Sequence, residues 1–250
     1  MSALAPHWLT ARPIAHRGLH NRLIGIIENS MAAARAAIAL DYAIECDVQL
    51  SLDGEAMVFH DDRLERLTRA QGRLDARAAD DLSRLPYLLG EGAMPTLPAF
   101  LDEIAGRTPL VIEIKSHFDG DMRLAERTAT LAQEYQGPVA LKSFDPAVIA
   151  HLRGQRCGLP LGVVAEAHYD PGEWSFLGAD VCRDLAALSH FSETRPDFLS
   201  YCVDDLPHAA ATLCRVGLKM PVMTWTVRTP EQRHVAARYA DQMVFEGFEP

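Results

Sequence analysis

Short apolar runs recur along the chain, and helical patterns fill most of the stretches between them. The runs at 13–16, 43–50, 56–60, 109–115, 138–143, 159–164, 197–203, 221–227 and 242–245 read as strands. Start signals predict the helices. Asn29-Ser30 precedes the alanine-rich run 31–40. Asp145-Pro146 and Thr229-Pro230 each place a capping side chain before a proline at the first helical position, ahead of 147–153 and 231–239. Thr96 is placed to cap the helix that holds Phe100, Leu101 and Ile104, and Leu124, Thr128, Leu131 and Tyr135 keep helical spacing in the next. Strands alternating with helices argue for βαβ units and a parallel sheet.

Nine candidate strands compete for the eight places of an α/β barrel, so one is extra or belongs to a hairpin. No helix fits between Asp47 and Ala56, a stretch that contains the turn signal Asp53-Gly54. That stretch is long enough to return down the barrel, so antiparallel pairing is not required there. Residues 61–95 are polar, arginine-rich and punctuated by glycine, and read as an excursion above the sheet, a small lid inserted after the third strand. No repeat, low-complexity tract or linker divides the chain, so residues 1–250 read as one (β/α)8 TIM barrel domain.

Composition agrees. The chain is 48% hydrophobic and 23% charged, which excludes disordered, collagen-like and coiled-coil classes. A net charge of −10 disfavours nucleic acid or anionic lipid as the main partner. Only Lys115, Lys142 and Lys219 are lysines in a chain rich in arginine, and a retained compact ammonium suits a phosphate. The five cysteines are odd in number and form no C-x-x-C, which argues against a disulfide framework or zinc site. Cys46, Cys202 and Cys214 read as buried small hydrophobes. Residues 1–10 lack the apolar core of a signal peptide, and no run approaches 18 apolar residues. The expected setting is the reducing cytoplasm, without membrane insertion.

Ionisable residues collect where the apolar runs end. His16-Arg17, Glu45-x-Asp47, His60-Asp61 and Glu113-x-Lys115 close four different runs, and α/β barrels gather their active sites on that rim. Residues two apart on a strand share a face, so Glu45 converges with Asp47 and Glu113 with Lys115. Three carboxylates from two strands make a hard oxygen cage suited to Mg²⁺ or Ca²⁺, whereas zinc would prefer histidine or thiolate. The competing reading has Glu45 and Asp47 in ion pairs with Arg17 or Lys115. His16 and His60 are the candidate general acid and base. The other eight histidines read as ordinary, with His20 and His117 near enough in sequence for secondary contacts. Arg17 and Lys115 bring positive charge suited to a phosphate, and Arg17 has Glu28 or Glu45 as an alternative partner. Trp225 offers an apolar wall for a substrate's carbon backbone or packs inside the barrel. Trp8 and Trp174 have no such context.

Taken in order, His16-Arg17-Gly18, Glu28-Asn29-Ser30, Glu45-x-Asp47-Val48, Asp53-Gly54, His60-Asp61, Pro95-Thr96-Leu97, Glu113-x-Lys115, Ser143-Phe144 and Thr224-Trp225-Thr226-Val227 resemble the motifs of the glycerophosphodiester phosphodiesterases. That family lies within the wider phosphatidylinositol-phospholipase-C-like barrels. The resemblance runs from residue 14 to 227, and its specificity lies in the ordered set. It implies a (β/α)8 barrel that hydrolyses small glycerophosphodiesters to glycerol phosphate and an alcohol with a divalent cation. It implies that His16 and His60 are the acid/base pair, that Glu45, Asp47 and Glu113 hold the metal, and that Arg17 and Lys115 bind phosphate. Glu28 then supports the site, and Trp225 lines the glycerol side. The chain departs from the family at its last strand, where Glu246 follows Phe245 in place of an Ile-Thr-Asp ending. It departs again at Arg228, where asparagine is common, which bears on head-group preference. Two other readings compete. One is a lipid phosphodiesterase of the lysophospholipase D or sphingomyelinase D kind, which needs an apolar entry surface. The polar excursion offers only Leu85, Tyr87, Leu88 and Leu89 for that purpose. The other is a catalytically silent barrel that binds a phosphorylated ligand.

Overall fold

The computed structural model describes residues 5–250, so part of the stretch 1–10 lies outside the described residues. Its strands are β1 Ile14–Ala15, β2 Ala43–Leu50, β3 Ala56–Val58, β4 Leu110–Ile114, β5 Val139–Ser143, β6 Leu161–Ala165, β7 Phe198–Cys202, β8 Val222–Val227 and β9 Gln242–Phe245. Eight of them close a parallel barrel in the order β1-β2-β4-β5-β6-β7-β8-β9, with β9 pairing back onto β1. Helices lie between most neighbouring barrel strands, as expected of a (β/α)8 TIM barrel.

The extra strand is β3. It is antiparallel to β2, with Val48 opposite Val58 and Leu50 opposite Ala56, so of the two readings left open the hairpin is the one found, and no return between Asp47 and Ala56 sets 56–60 parallel in the barrel. The reason is length. At eight residues β2 outruns the other barrel strands, and its last residues would present unpaired backbone groups above the rim. β3 pairs with them, and the turn passes through Gly54 at a φ of +86°.

The helix signals act as predicted. The side chains of Ser30, Thr96, Asp145 and Thr229 each accept a hydrogen bond from a first-turn backbone amide of the helices Met31–Ala39, Leu97–Ile104, Pro146–Gly154 and Pro230–Tyr239. Thr229 and Gln232 cap one another's backbone reciprocally. The helix Arg123–Glu134 buries Leu124 and Thr128 on its inner face.

Alternation along the strands divides the protein into three zones. Outward-facing Ile44, Cys46, Val48, Ile112, Leu141 and Val163 pack in the main core between sheet and helices. Inward-facing Ile14, Ala43, Val111, Ala140, Phe198, Met223 and Val244 form an apolar floor inside the barrel, joined by Leu9. Gly162 leaves space for the Phe198 ring, since a Cβ there would lie 2.2 Å from it. The third zone stands two residues further along the same seven strands: His16, Glu45, Glu113, Lys142, Ser200, Trp225 and Glu246. The interior therefore changes from hydrocarbon to charge in one strand step.

The excursion after β3 has an apolar core of its own, in which Leu64, Leu74, Leu82 and Tyr87 pack on Met57 and Phe59. Leu88 and Leu89 remain exposed. All five cysteines are free. Cys46 and Cys214 are buried, but Cys202 is only half-buried because it ends β7 at the rim. No helix of the described residues is long and apolar enough to cross a membrane.

Candidate active site

Strand register assembles the charged layer. β2 and β4 pair Asp47 with Glu113, and β4 and β5 pair Glu113 with Lys142. Glu45, Asp47 and Glu113 are all buried, and a carboxylate oxygen of each lies within 4.8 Å of the others. Three buried carboxylates so close would repel one another without nearby positive charge. Lys142 Nζ lies 3.1 Å from Glu45 Oε1 and 3.0 Å from Glu113 Oε2. Lys115 Nζ bridges Asp47 Oδ1 at 2.8 Å and Glu113 Oε1. Arg17 Nε is 3.2 Å from Asp47 Oδ2, and the Arg17 backbone amide donates to Glu45 Oε2. The competing ion pairs are thus present for Asp47, which meets both Arg17 and Lys115, whereas Glu45 pairs with Lys142 and takes only the backbone amide of Arg17.

These pairs set the charge states. Burial alone would raise the carboxyl of Asp47, but Lys115, His60 and Arg17 outweigh it and hold Asp47 well below the usual carboxylate range. Burial alone would lower Lys115, but Asp47 and Glu113 outweigh it and keep the ammonium charged. Lys142 follows the same pattern with Glu45 and Glu113.

The triad fits a hard divalent cation. Its donors are all oxygen, and they are buried and converge. The group could therefore hold such an ion.

The two histidines reach this layer by different routes. His16 follows β1, and its Nδ1 sits 2.7 Å from Oε2 of Glu246, which follows the neighbouring β9. Its Nε2 points inward, 4.0 Å from Glu45 Oε2. His60 is carried by the chain leaving the hairpin, where the Phe59 amide donates to the Asp47 carbonyl. Its Nδ1 lies 2.8 Å from Asp61 Oδ1. Each ring thus has Nδ1 engaged by a carboxylate, which leaves Nε2 as the atom able to take or give a proton.

Beyond His60 runs an ion-pair chain. Arg66 donates to both oxygens of Asp61 and to both oxygens of Glu28, and Arg17 donates to Glu28 at 2.6 Å. Glu28, expected as a supporting carboxylate, therefore links Arg17 to the excursion. Asn29 donates to Asp47 Oδ2 and accepts from its backbone amide. Trp225 is half-buried, donates its indole N–H to the Ser200 carbonyl, and meets Phe144 edge-on at 5.4 Å. His20 lies 3.9 Å from Glu246, while His117 is exposed beside Asp62 and Arg73.

Sequence reasoning missed Lys142, Asn29, Asp61 and Arg66 as parts of this network and left Glu246 uncertain. Lys142 carried a usable signal, a rare lysine inside an apolar run. Asn29 and Asp61 sat within quoted motifs. Arg66 gave no signal.

Two expected outcomes concern stability. Lys142→Met leaves Glu45 and Glu113 without their shared cation and costs about 3–5 kcal/mol. A urea midpoint equal to the wild type's would contradict that. Glu28 and Glu246 are both held near a pKa of about 2, against an ordinary value of 4.5. Burial opposes the shift in both, and Arg66 and Arg17 drive it for Glu28, His16 and Arg228 for Glu246. Depressed carboxyls contribute stability that is complete above the unfolded value and lost as pH falls through the folded one. The melting temperature should therefore fall as pH drops below about 4.5 and keep falling toward about 2. A flat profile over that window would contradict the two ion-pair assignments.

Comparison with known proteins agrees with this construction. A putative glycerophosphodiester phosphodiesterase of Bacillus subtilis is 28% identical over 166 residues, covering 62% of this chain and 66% of that protein. The match therefore spans just under two thirds of the relative's length. The fold matches that of an Oleispira antarctica phosphodiesterase solved with its product sn-glycerol-3-phosphate, at a TM-score of 0.74 and 18% identity, over 93% of this chain and 91% of that one. It also matches a Parabacteroides distasonis glycerophosphodiester phosphodiesterase at a TM-score of 0.73 and 20% identity, over 94% and 92% of the two chains. The family model for glycerophosphoryl diester phosphodiesterases matches residues 16–245, from His16 at the end of β1 to Phe245 in β9, and the chain belongs to that family.

Proposed function

We propose that the protein hydrolyses small glycerophosphodiesters to sn-glycerol 3-phosphate and an alcohol, with His16 and His60 as the acid/base pair and a divalent cation, Mg²⁺ or Ca²⁺, at Glu45, Asp47 and Glu113. The observation that carries this reading is the pair of histidines, each with Nδ1 held by its own carboxylate, beside a buried layer of three carboxylates and three cations. The product described for the Oleispira antarctica protein supports the assignment of substrate class.

The chain's residues divide the work. Arg17 and Lys115 draw the phosphoryl group toward the layer, and both already stand against the carboxylates. One histidine Nε2 takes the proton of the attacking hydroxyl, from water or from the glycerol 2-hydroxyl, as a new P–O bond forms. The other gives a proton to the alcohol oxygen as its bond to phosphorus breaks. Attack by the glycerol hydroxyl gives a cyclic phosphate, which water opens with the two roles exchanged. Glu246 and Asp61 keep the rings oriented. An ion at the triad supplies positive charge to the phosphoryl oxygens as negative charge grows there. Free cysteines fit a cytoplasmic setting.

Product identity tests the reading. Glycerophosphocholine should release choline, with all phosphate remaining as sn-glycerol 3-phosphate. Release of glycerol and phosphocholine instead would place the broken bond on the wrong side of phosphorus and overturn the proposal.

A further inference from the structure

One half of the rim is aromatic, and nothing in the proposed chemistry uses it. Phe144 follows β5 and touches Trp225 at 5.4 Å and Trp174 at 5.0 Å. Trp174 lies in the loop after β6 and is the hub of the group. It meets Phe118 at 6.2 Å, nearly perpendicular, and Phe176 at 5.8 Å. Phe118 and Phe176 close the triangle at 6.1 Å. Phe176 is 59% exposed and forms the outer lip. Phe118 stands three residues after Lys115, and the Phe144 ring joins the triangle to Trp225.

A carboxyl stands against this wall. Trp174 donates its indole N–H to Glu166 Oε1 at 2.6 Å, and no arginine or lysine pairs with Glu166 among the described residues. Burial is the main cause that pushes Glu166 up to about 7, with Glu173, Asp205 and Asp170 adding to it. A bare hydrocarbon chain gains nothing from a carboxylate at its binding wall. An organic cation gains from the electron-rich ring faces and favours the ionised form of Glu166 beside them. Rings about 6 Å apart, one pair nearly perpendicular at 86° and two tilted at 59° and 38°, offer faces and edges to the methyl groups of a quaternary ammonium, which cannot hydrogen-bond and is weakly hydrated.

We propose that Phe118, Trp174 and Phe176, with Glu166 beside them, form the subsite for the alcohol of the diester, and that this subsite selects a quaternary ammonium group. The proposal rests on the phosphodiesterase reading and deepens it: glycerol lies toward Trp225, phosphate at Lys115, and the cationic alcohol on the triangle.

Binding tests the subsite apart from the reaction. Choline and its uncharged isostere 3,3-dimethylbutan-1-ol are each titrated calorimetrically into the chelator-treated protein. Choline should bind saturably and at least tenfold more tightly than the isostere. Trp174→Leu and the shape-preserving Glu166→Gln should each weaken choline binding severalfold or more. Equal binding of the two alcohols would assign the wall to apolar chains, and absence of choline binding would remove the subsite; either result overturns the proposal. Kinetics complete the test. The ratio of kcat/KM for glycerophosphocholine over glycerophosphoglycerol should exceed ten in the wild type and collapse in Trp174→Leu, chiefly through KM for the choline diester. Equal values in the wild type would overturn the subsite's role. Choline binding without cleavage of any diester would instead fault the phosphodiesterase reading.

Discussion

Alanine at His16 or at His60 lowers turnover of a glycerophosphodiester by about 10²–10⁴ and leaves the protein folded. The two losses should not multiply, because each ring acts in the same proton economy and removing either leaves the other without its counterpart. His16 is the more buried, and its loss leaves Glu246 paired with Arg228, so the carboxylate keeps a cation. His60 lies at the hairpin exit, and Asp61 stays held by Arg66 when the ring is gone. Neither variant therefore strands a carboxylate, and melting curves should stay close to the wild type's. Full turnover by either variant would remove that histidine from the chemistry. Loss of turnover together with loss of the melting transition would show a structural role instead.

Glu45→Gln moves the metal dependence of the reaction to higher concentration by about tenfold or more, equivalent to about 1.4 kcal/mol. The substitution keeps the shape of the side chain and removes its charge. Glu45 is fully buried, faces Lys142 through Oε1, and accepts the Arg17 amide through Oε2. Loss of its charge leaves two carboxylates against Lys115, Lys142 and Arg17, a balance that disfavours a further cation. A metal titration that superimposes on the wild type's would take Glu45 out of the cage. Substitution of Lys219, the remaining lysine, serves as a control for loss of charge elsewhere.

How much of this could be read from the sequence depends on range. The helix caps are local, and Ser30, Thr96, Asp145 and Thr229 all perform as their side chains dictate. The charged layer was legible because a strand repeats every two residues: Glu45 stands above Ala43 and Glu113 above Val111. The direction of β3 was not legible. It depends on which backbone groups β2 leaves unpaired above the rim, a property of the closed barrel. The partners of Lys142 were hidden for a related reason, although the rare lysine itself was visible. Its place between Glu45 and Glu113 follows from the register of β4 against β5, which no local pattern encodes. Arg66 and Trp174 lie on irregular loops, and their partners Glu28, Phe118 and Phe144 are far away in sequence. Closure of the barrel brings these distant side chains together.

Release of sn-glycerol 3-phosphate by the unmodified protein, first stripped by chelator and then supplied with Mg²⁺ or Ca²⁺, tests the central claim most directly. Little release after stripping and recovery on adding the ion are the predicted results. Undiminished release after complete removal of divalent ions would contradict the account, because the two histidines and the cations of the chain would then suffice without the carboxylate cage.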